Sequence, residues 1–178
     1  MDDPVQAATI LGAFVAAMHQ PAPDNAPANP FRGVPLRDRA ALVLERIETL
    51  DDMIDAPSTR TYWDDLLATP DWSGPPLWLH GDLHPLNVLV EHGRPSAVID
   101  FGDLTAGDPA TDLSVAWMMF TSETRRRFRD AAGDVDDDTW RRARGWALAL
   151  ALAYLESSAD VPLLARVGMR TLEAVLTD

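Results

Sequence analysis

Two short strings hold the residues of this chain best suited to chemistry. The first reads His80-Gly81-Asp82-Leu83-His84-Pro85-Leu86-Asn87, and the second Ile99-Asp100-Phe101-Gly102-Asp103. A loop carboxylate such as Asp82 can accept a hydrogen bond from a hydroxyl nucleophile and take its proton as the hydroxyl attacks. Asn87 offers an amide oxygen and Asp100 a carboxylate, and magnesium favours such hard oxygen ligands while keeping some waters. A base beside a magnesium pair is what phosphoryl transfer requires: an aligned hydroxyl and neutralised phosphate charge. Between the two strings, Glu91-His92-Gly93-Arg94 reads as the turn of a β-hairpin. The chain thus folds back on itself, so that both strings can face one pocket. Gly102 permits a sharp backbone turn beside Asp100.

Each of these residues has a plainer reading. Asp82 and Asp100 could cap turns, the commonest task of Asp in loops. His80 is read as structural, packed and hydrogen-bonded to backbone. The alternation His80, Asp82, His84 also suits a metallohydrolase, but only His19 and His92 remain to complete a histidine ligand set. Asp103 could assist a metal, bind substrate or serve the loop, and Asp108 reads as a helix cap. Arg125-Arg126-Arg127 and Arg129 are read as a solvated helix face.

The surrounding elements are mostly helical. Asp3 and Pro4 open a helix whose apolar positions (Ala7, Ile10, Leu11, Phe14, Val15, Met18) follow helical spacing and which ends at His19. A proline-rich loop over 21–30 precedes a second helix expected over 35–53 and a third over 59–68. Residues 77–79 form a short apolar run. Residues 87–90 and 96–99 read as the two strands of the hairpin. Asp108-Pro109 starts another helical stretch, and helices are expected over 138–156 and 161–176, the last marked by Asp160 and Pro162. The expected class is α+β, mainly helical, with one small hairpin where the polar residues cluster. It forms one domain over residues 1–178.

With 178 residues, nearly half of them apolar, the chain can build a proper core. Its formal charge of -13 argues against nucleic acid as a partner. An acidic cleft would instead draw metal ions and amine-bearing small molecules. There is no cysteine, hence no disulfide and no thiolate metal site. The start Met1-Asp2-Asp3-Pro4 lacks the basic residues of a signal peptide, and no apolar run is long enough to span a bilayer. The chain reads as cytoplasmic, without a membrane partner. It contains no lysine; arginine carries all side-chain positive charge apart from histidine.

Residues 77–120 resemble the aminoglycoside phosphotransferase family. The likeness rests on the loop His80-Gly81-Asp82-Leu83-His84-Pro85-Leu86-Asn87, on Ile99-Asp100-Phe101-Gly102-Asp103, and on Gly107-Asp108-Pro109 with Asp112-Leu113. The first string is also similar to a protein-kinase catalytic loop, with Gly81 where an arginine usually stands. Met18-His19 and Asn29-Pro30-Phe31-Arg32-Gly33-Val34-Pro35 extend the resemblance over nearly the whole chain. It implies the larger, C-terminal lobe of a kinase-like fold, with catalytic loop 80–87 and metal motif 100–102. It implies magnesium with ATP or GTP as donor, and a small-molecule hydroxyl as acceptor. An aminoglycoside acceptor, with its antibiotic-resistance role, is one candidate among other alcohols. Asp82 would be the catalytic base, Asn87 and Asp100 the metal and cofactor ligands, with His80 and Asp112 as structural support. Asp112 resembles the buried helix carboxylate that braces the catalytic loop.

The family begins with a smaller β-rich lobe whose lysine holds the nucleotide phosphates. No glycine-rich phosphate loop and no lysine occur here. The expectation is therefore a chain without the N-terminal lobe: a fragment, a truncated frame, or a partner to a separate lid. An apolar strip near the catalytic loop should then be exposed and promote self-association. The competing reading is a non-catalytic interaction module derived from a kinase lobe.

Overall fold

The computed structural model describes residues 1–157 and 161–178. The helix-start cue at Asp160 lies outside them. The first helix, α1 (Pro4–Met18), begins as its sequence dictates: the Asp3 carboxylate accepts from the Gln6 N–H at 2.9 Å, with Pro4 in the first turn. α1 packs closely on α6 (Ser122–Ala132). Gly12 makes that approach possible, because a Cβ there would lie 2.5 Å from the Phe128 carbonyl oxygen.

The core is organised around α7 (Asp137–Glu156), capped by Asp136. Trp140, Trp146, Leu148, Leu152 and Leu155 are all buried along it. It is covered by α2 (Ala40–Thr49), α3 (Ala56–Leu67), α4 (Ala110–Leu113), α5 (Val115–Met119) and α8 (Pro162–Leu176). Truncating a fully buried aromatic such as Trp146 would cost about 3–5 kcal/mol. No helix of the described residues is long and apolar enough to cross a membrane.

The β structure is small and sits beside this helical body. β2 (Val88–Glu91) and β3 (Arg94–Val98) form the expected antiparallel hairpin. His92 (φ 48°) and Gly93 (φ 75°) both take the left-handed conformation, as a two-residue turn matched to strand twist requires. The sequence reading missed a second antiparallel pair, β1 (Leu77–Leu79) with β4 (Thr105–Gly107). It brackets the two motif strings, fixing the start of one against the end of the other.

Several boundaries also move. The helix expected over 35–53 opens as a 3-10 turn, Leu36–Arg39, and ends at Thr49. The third helix starts earlier because Asp55 accepts from the Ser58 N–H at 3.1 Å and Pro57 suits the first turn. Asn87 belongs to a 3-10 turn, Pro85–Asn87, ahead of the strand. Arg125 is not on a solvated face: it is buried, stacked on the Trp117 ring and paired with Asp178.

Candidate active site

The site is built on one buried carboxylate. Asp112, in the first turn of α4, is 1% exposed. It accepts hydrogen bonds from the backbone N–H groups of His80 at 2.7 Å and Gly81 at 2.9 Å. His19, just past α1, reaches the same carboxylate with Nε2 at 3.3 Å. A buried charge is tolerable only when donors replace the lost water, and these three do so. Their effect is to clamp the start of the loop 80–87 to α4.

His80 carries the constraint onward. Its ring is fully buried and tilts against Phe101 with centroids 4.6 Å apart. Nδ1 accepts from the Asp82 N–H at 3.2 Å, so the ring proton sits on Nε2, which donates to the Ile99 carbonyl at 2.9 Å. One imidazole therefore ties the backbone of Asp82 to the residue before Asp100. Gly81 holds the crossing open. It has φ of 85°, and a Cβ there would stand 2.2 Å from the Asp103 carbonyl oxygen. That is why glycine stands where the kinase pattern has arginine.

The Asp82 carboxylate is part-buried and has two cationic or donor neighbours. Arg32 Nη2 lies 3.2 Å from Oδ1, and His84 Nε2 lies 3.3 Å from Oδ2. His84 Nδ1 accepts from the Leu86 N–H at 3.1 Å, which leaves the Nε2 proton for Asp82. Burial pushes the Asp82 pKa up, but His84 and then Arg32 outweigh it and hold the carboxyl below its ordinary range. Asp82 is thus an ionised acceptor at neutral pH. Tyr154 stands edge-on to His84 at 5.8 Å, and burial, helped by the Asp82 charge, pushes its phenol well above its usual pKa.

Asn87 is buried, and its Nδ2 donates to the Asp82 carbonyl at 2.8 Å. That bond orients the amide. Its own carbonyl accepts from the Ile99 N–H at 2.9 Å, which brings Asp100 alongside. Asp100 is exposed and left-handed, with φ 64° and ψ 65°, a conformation that costs a non-glycine residue roughly 1–2 kcal/mol. Asp103 accepts from Asn29 Nδ2 at 2.8 Å.

Two depressions need separating. A shallow one of about 650 Å³, between α1 and α6, is lined by Val5 and charged side chains such as Arg126 and Arg127, with no motif residue. A cavity of about 290 Å³ includes Arg32, the partner of Asp82, and Asp103. Its chemistry differs from the acidic cleft expected from composition: Arg32, Arg39 and Arg46 face one lining carboxylate.

Sequence reasoning identified Asp82, Asn87, Asp100, His80 and Asp112 within this one constellation. It missed the parts played by Arg32, His19 and Arg142. Arg142 donates from Nε to Asp108 at 2.7 Å in a fully buried ion pair, while Asp108 also caps Ala110. Arg32 lies in the Asn29–Pro35 segment that carried part of the resemblance, but no spacing rule points it at Asp82.

A family model described as the phosphotransferase enzyme family matches residues 1–146. An uncharacterised protein of Bacillus subtilis (strain 168), YcbJ, is 24% identical over 115 residues, or 60% of this chain and 38% of that protein. Macrolide 2'-phosphotransferase MphH from Brachybacterium faecium superposes with a TM-score of 0.54 at 22% identity, covering 96% of this chain and 59% of that one. The GDP and kanamycin complex of APH(2'')-IIIa superposes at 0.61 with 20% identity, covering 99% and 64%. At these identities the likeness is one of fold, and the chain spans less than two thirds of the length of either enzyme.

Proposed function

The chain belongs to the phosphotransferase enzyme family, and from that premise we propose that it forms the acceptor and metal half of a transfer of phosphate from ATP or GTP to a small-molecule hydroxyl. The observation that carries this reading is the Asp82 carboxylate, paired with Arg32 and His84, while Asn87 is bonded to the same residue's backbone. Asp82 orients the hydroxyl and takes its proton as the oxygen–phosphorus bond forms. The bond to the bridging oxygen breaks, and the nucleoside diphosphate leaves with that oxygen.

The residues present fit a magnesium ion. Asn87 Nδ2 is committed to a carbonyl, which leaves Oδ1 for a metal, and the exposed Asp100 follows Ile99, whose N–H is bonded to the Asn87 backbone carbonyl. Among the described residues no three His, Asp or Glu side chains gather into a cage. Asn87 and Asp100 would therefore hold the ion together with waters and phosphate oxygens. When bound, it neutralises charge on the phosphates.

The nucleotide clamp is not supplied by a lysine of this chain. Along the hairpin and the metal motif, Leu89, Val90, Ile99 and Phe101 are exposed. We assign this rim to a covering lobe from outside these 178 residues; uncovered, it gives the chain a surface for self-association.

The test uses the chain and the longest reading frame that contains it, each with Mg-ATP or Mg-GTP and a panel of small alcohols, followed by phosphorus NMR. A phosphate ester is expected from the longer form. Asp82→Ala should abolish it while nucleotide affinity persists, whereas Asp100→Ala should weaken that affinity. Equal loss of affinity in both variants would remove Asp82 from its role.

A further inference from the structure

We propose that the acceptor carries a carboxylate or comparable anionic group on an apolar body, which Arg39 binds in the cavity beside Asp82. The inference rests on the phosphotransferase reading and adds the chemical class of the substrate.

The cavity has two faces. One is apolar, formed by Leu42 of α2 and by Trp146, Ala149 and Leu150 of α7. The other carries the guanidinium groups of Arg32, Arg39 and Arg46. Two of these are already matched: Arg32 pairs with Asp82 at 3.2 Å, and Arg46 Nε donates to Glu156 at 2.8 Å. The lining carboxylate, Asp103, accepts from Asn29. Arg39 has no ion pair or hydrogen-bonded side chain among the described residues; it lies over the Phe31 ring, 5.6 Å from its centroid. Burial, then Arg32 and Arg46, push its pKa down, with only Asp38 acting against them. Arg39 is thus the lining guanidinium left without a carboxylate partner among the described residues, and an anion placed beside it supplies one.

The geometry also aligns the two ends of such a molecule. Arg32 belongs both to the cavity and to the Asp82 pair. A ligand with its anionic group on Arg39 and its apolar body on the part-exposed Leu42 and Ala153 would lie next to that pair and present a hydroxyl toward Asp82. The same cavity disfavours polycations: an aminoglycoside ammonium here would face three guanidiniums.

The test is calorimetric binding to the chain, with or without nucleotide. The probes are para-(hydroxymethyl)phenylacetate, its neutral primary amide, the matching phenethylamine, and kanamycin. The acid should bind roughly 10-fold tighter than the amide, about the worth of one charge-assisted contact. The amine and kanamycin should bind more weakly than the amide. Arg39→Gln should erase the acid's advantage, and Arg39→Lys should retain part of it, with thermal melting used to verify folding. Equal affinities for acid and amide, tighter binding of either amine, an unchanged preference in Arg39→Gln, or no binding of the acid at millimolar concentration each overturn the proposal. The phosphotransferase reading fails separately: a charge preference in the chain, with no phosphate ester from the longer form, would sink that reading and leave the anion-binding pocket standing.

Discussion

His80 donates from Nε2 to the carbonyl of Ile99 across 2.9 Å, and this contact, beside the Ile99 N–H bond to the Asn87 carbonyl, joins the loop bearing Asp82 to the strand end bearing Asp100. The ring is fully buried, and its other nitrogen is taken by the Asp82 N–H. His80→Ala leaves the part-buried Asp82 N–H and Ile99 carbonyl without their partner, at about 1–3 kcal/mol each. At the low end of that range, about 2 kcal/mol in total, a drop in melting temperature of roughly 4–8 °C is expected, at about 2–4 °C per kcal/mol for a chain of this size. A role confined to packing would stop there. If His80 also sets the spacing of base and metal ligands, the variant loses Mg-nucleotide affinity and transfer rate together, which calorimetry and a rate assay below the melting temperature would both register.

The surroundings of Asp82 set a pH dependence whose sign can be worked out. Its folded pKa lies below the ordinary carboxylate value because His84 and Arg32 outweigh burial. Between the two values the unfolded chain binds the proton and the folded chain does not, so stability rises with pH there. The contribution is complete above the unfolded pKa and is lost as pH falls through the folded one. Removing Arg32 leaves burial less opposed. In Arg32→Gln the acid limb of the transfer rate should therefore move to higher pH, while the limb at high pH stays where it was. An acid limb unchanged in Arg32→Gln would mean that Asp82 is not the titrating base.

Gly81 and Gly133 form a matched pair for testing the crossing of the two motif strings. Both have positive φ, 85° and 90°, but a Cβ on Gly81 would meet the Asp103 carbonyl oxygen at 2.2 Å, whereas one on Gly133 meets nothing within 4 Å. Gly133→Ala carries only the conformational cost, about 1–3 kcal/mol at φ 90° and ψ -159°. Gly81→Ala adds backbone overlap, which brings the total to roughly 3 kcal/mol or more. Denaturant unfolding of both variants gives the difference directly. Equal losses would show that Asp103 yields freely and that glycine is not required at the crossing.

The parts legible in the sequence are those governed by local rules. The hairpin showed itself through alternation on either side of His92-Gly93, and α1 through Asp3 and Pro4. Asp82, Asn87 and Asp100 stood out as candidates because they fall in two recognisable motif strings, 80–87 and 99–103. What stayed hidden depends on contacts made only after folding. β1 and β4 are three residues each, too short to show a period, and they pair across the whole motif region, Leu77 opposite Gly107. Arg32 and Asp82 are 50 positions apart, and both lie in irregular segments. Arg125 sits in a run of arginines that reads as solvated. Its burial follows from the face α6 presents to α5, where Trp117 covers the guanidinium.

Asp108 and Arg142 show why an ion pair with no catalytic part still governs the site. Both side chains are almost fully buried, 3% and 2% exposed, and they share two hydrogen bonds, at 2.7 and 3.4 Å. Arg142 also donates to Thr139 and to the Pro70 carbonyl, joining α7 to the loop before β1. Asp108 caps Ala110 at the start of α4, the short helix that carries Asp112. Arg142→Met leaves a carboxylate buried without its partner, which should cost about 3–5 kcal/mol. The companion change Asp108→Asn removes that stranded charge while its amide oxygen can still accept from Ala110. The double variant should therefore recover more than half of the loss, because the cost lies in the unpaired charge and not in the absence of the bridge. A double variant as unstable as Arg142→Met would instead place the cost in the lost contacts to Thr139 and Pro70. Melting temperatures of the two single variants and the double variant, completing the cycle, distinguish the two accounts.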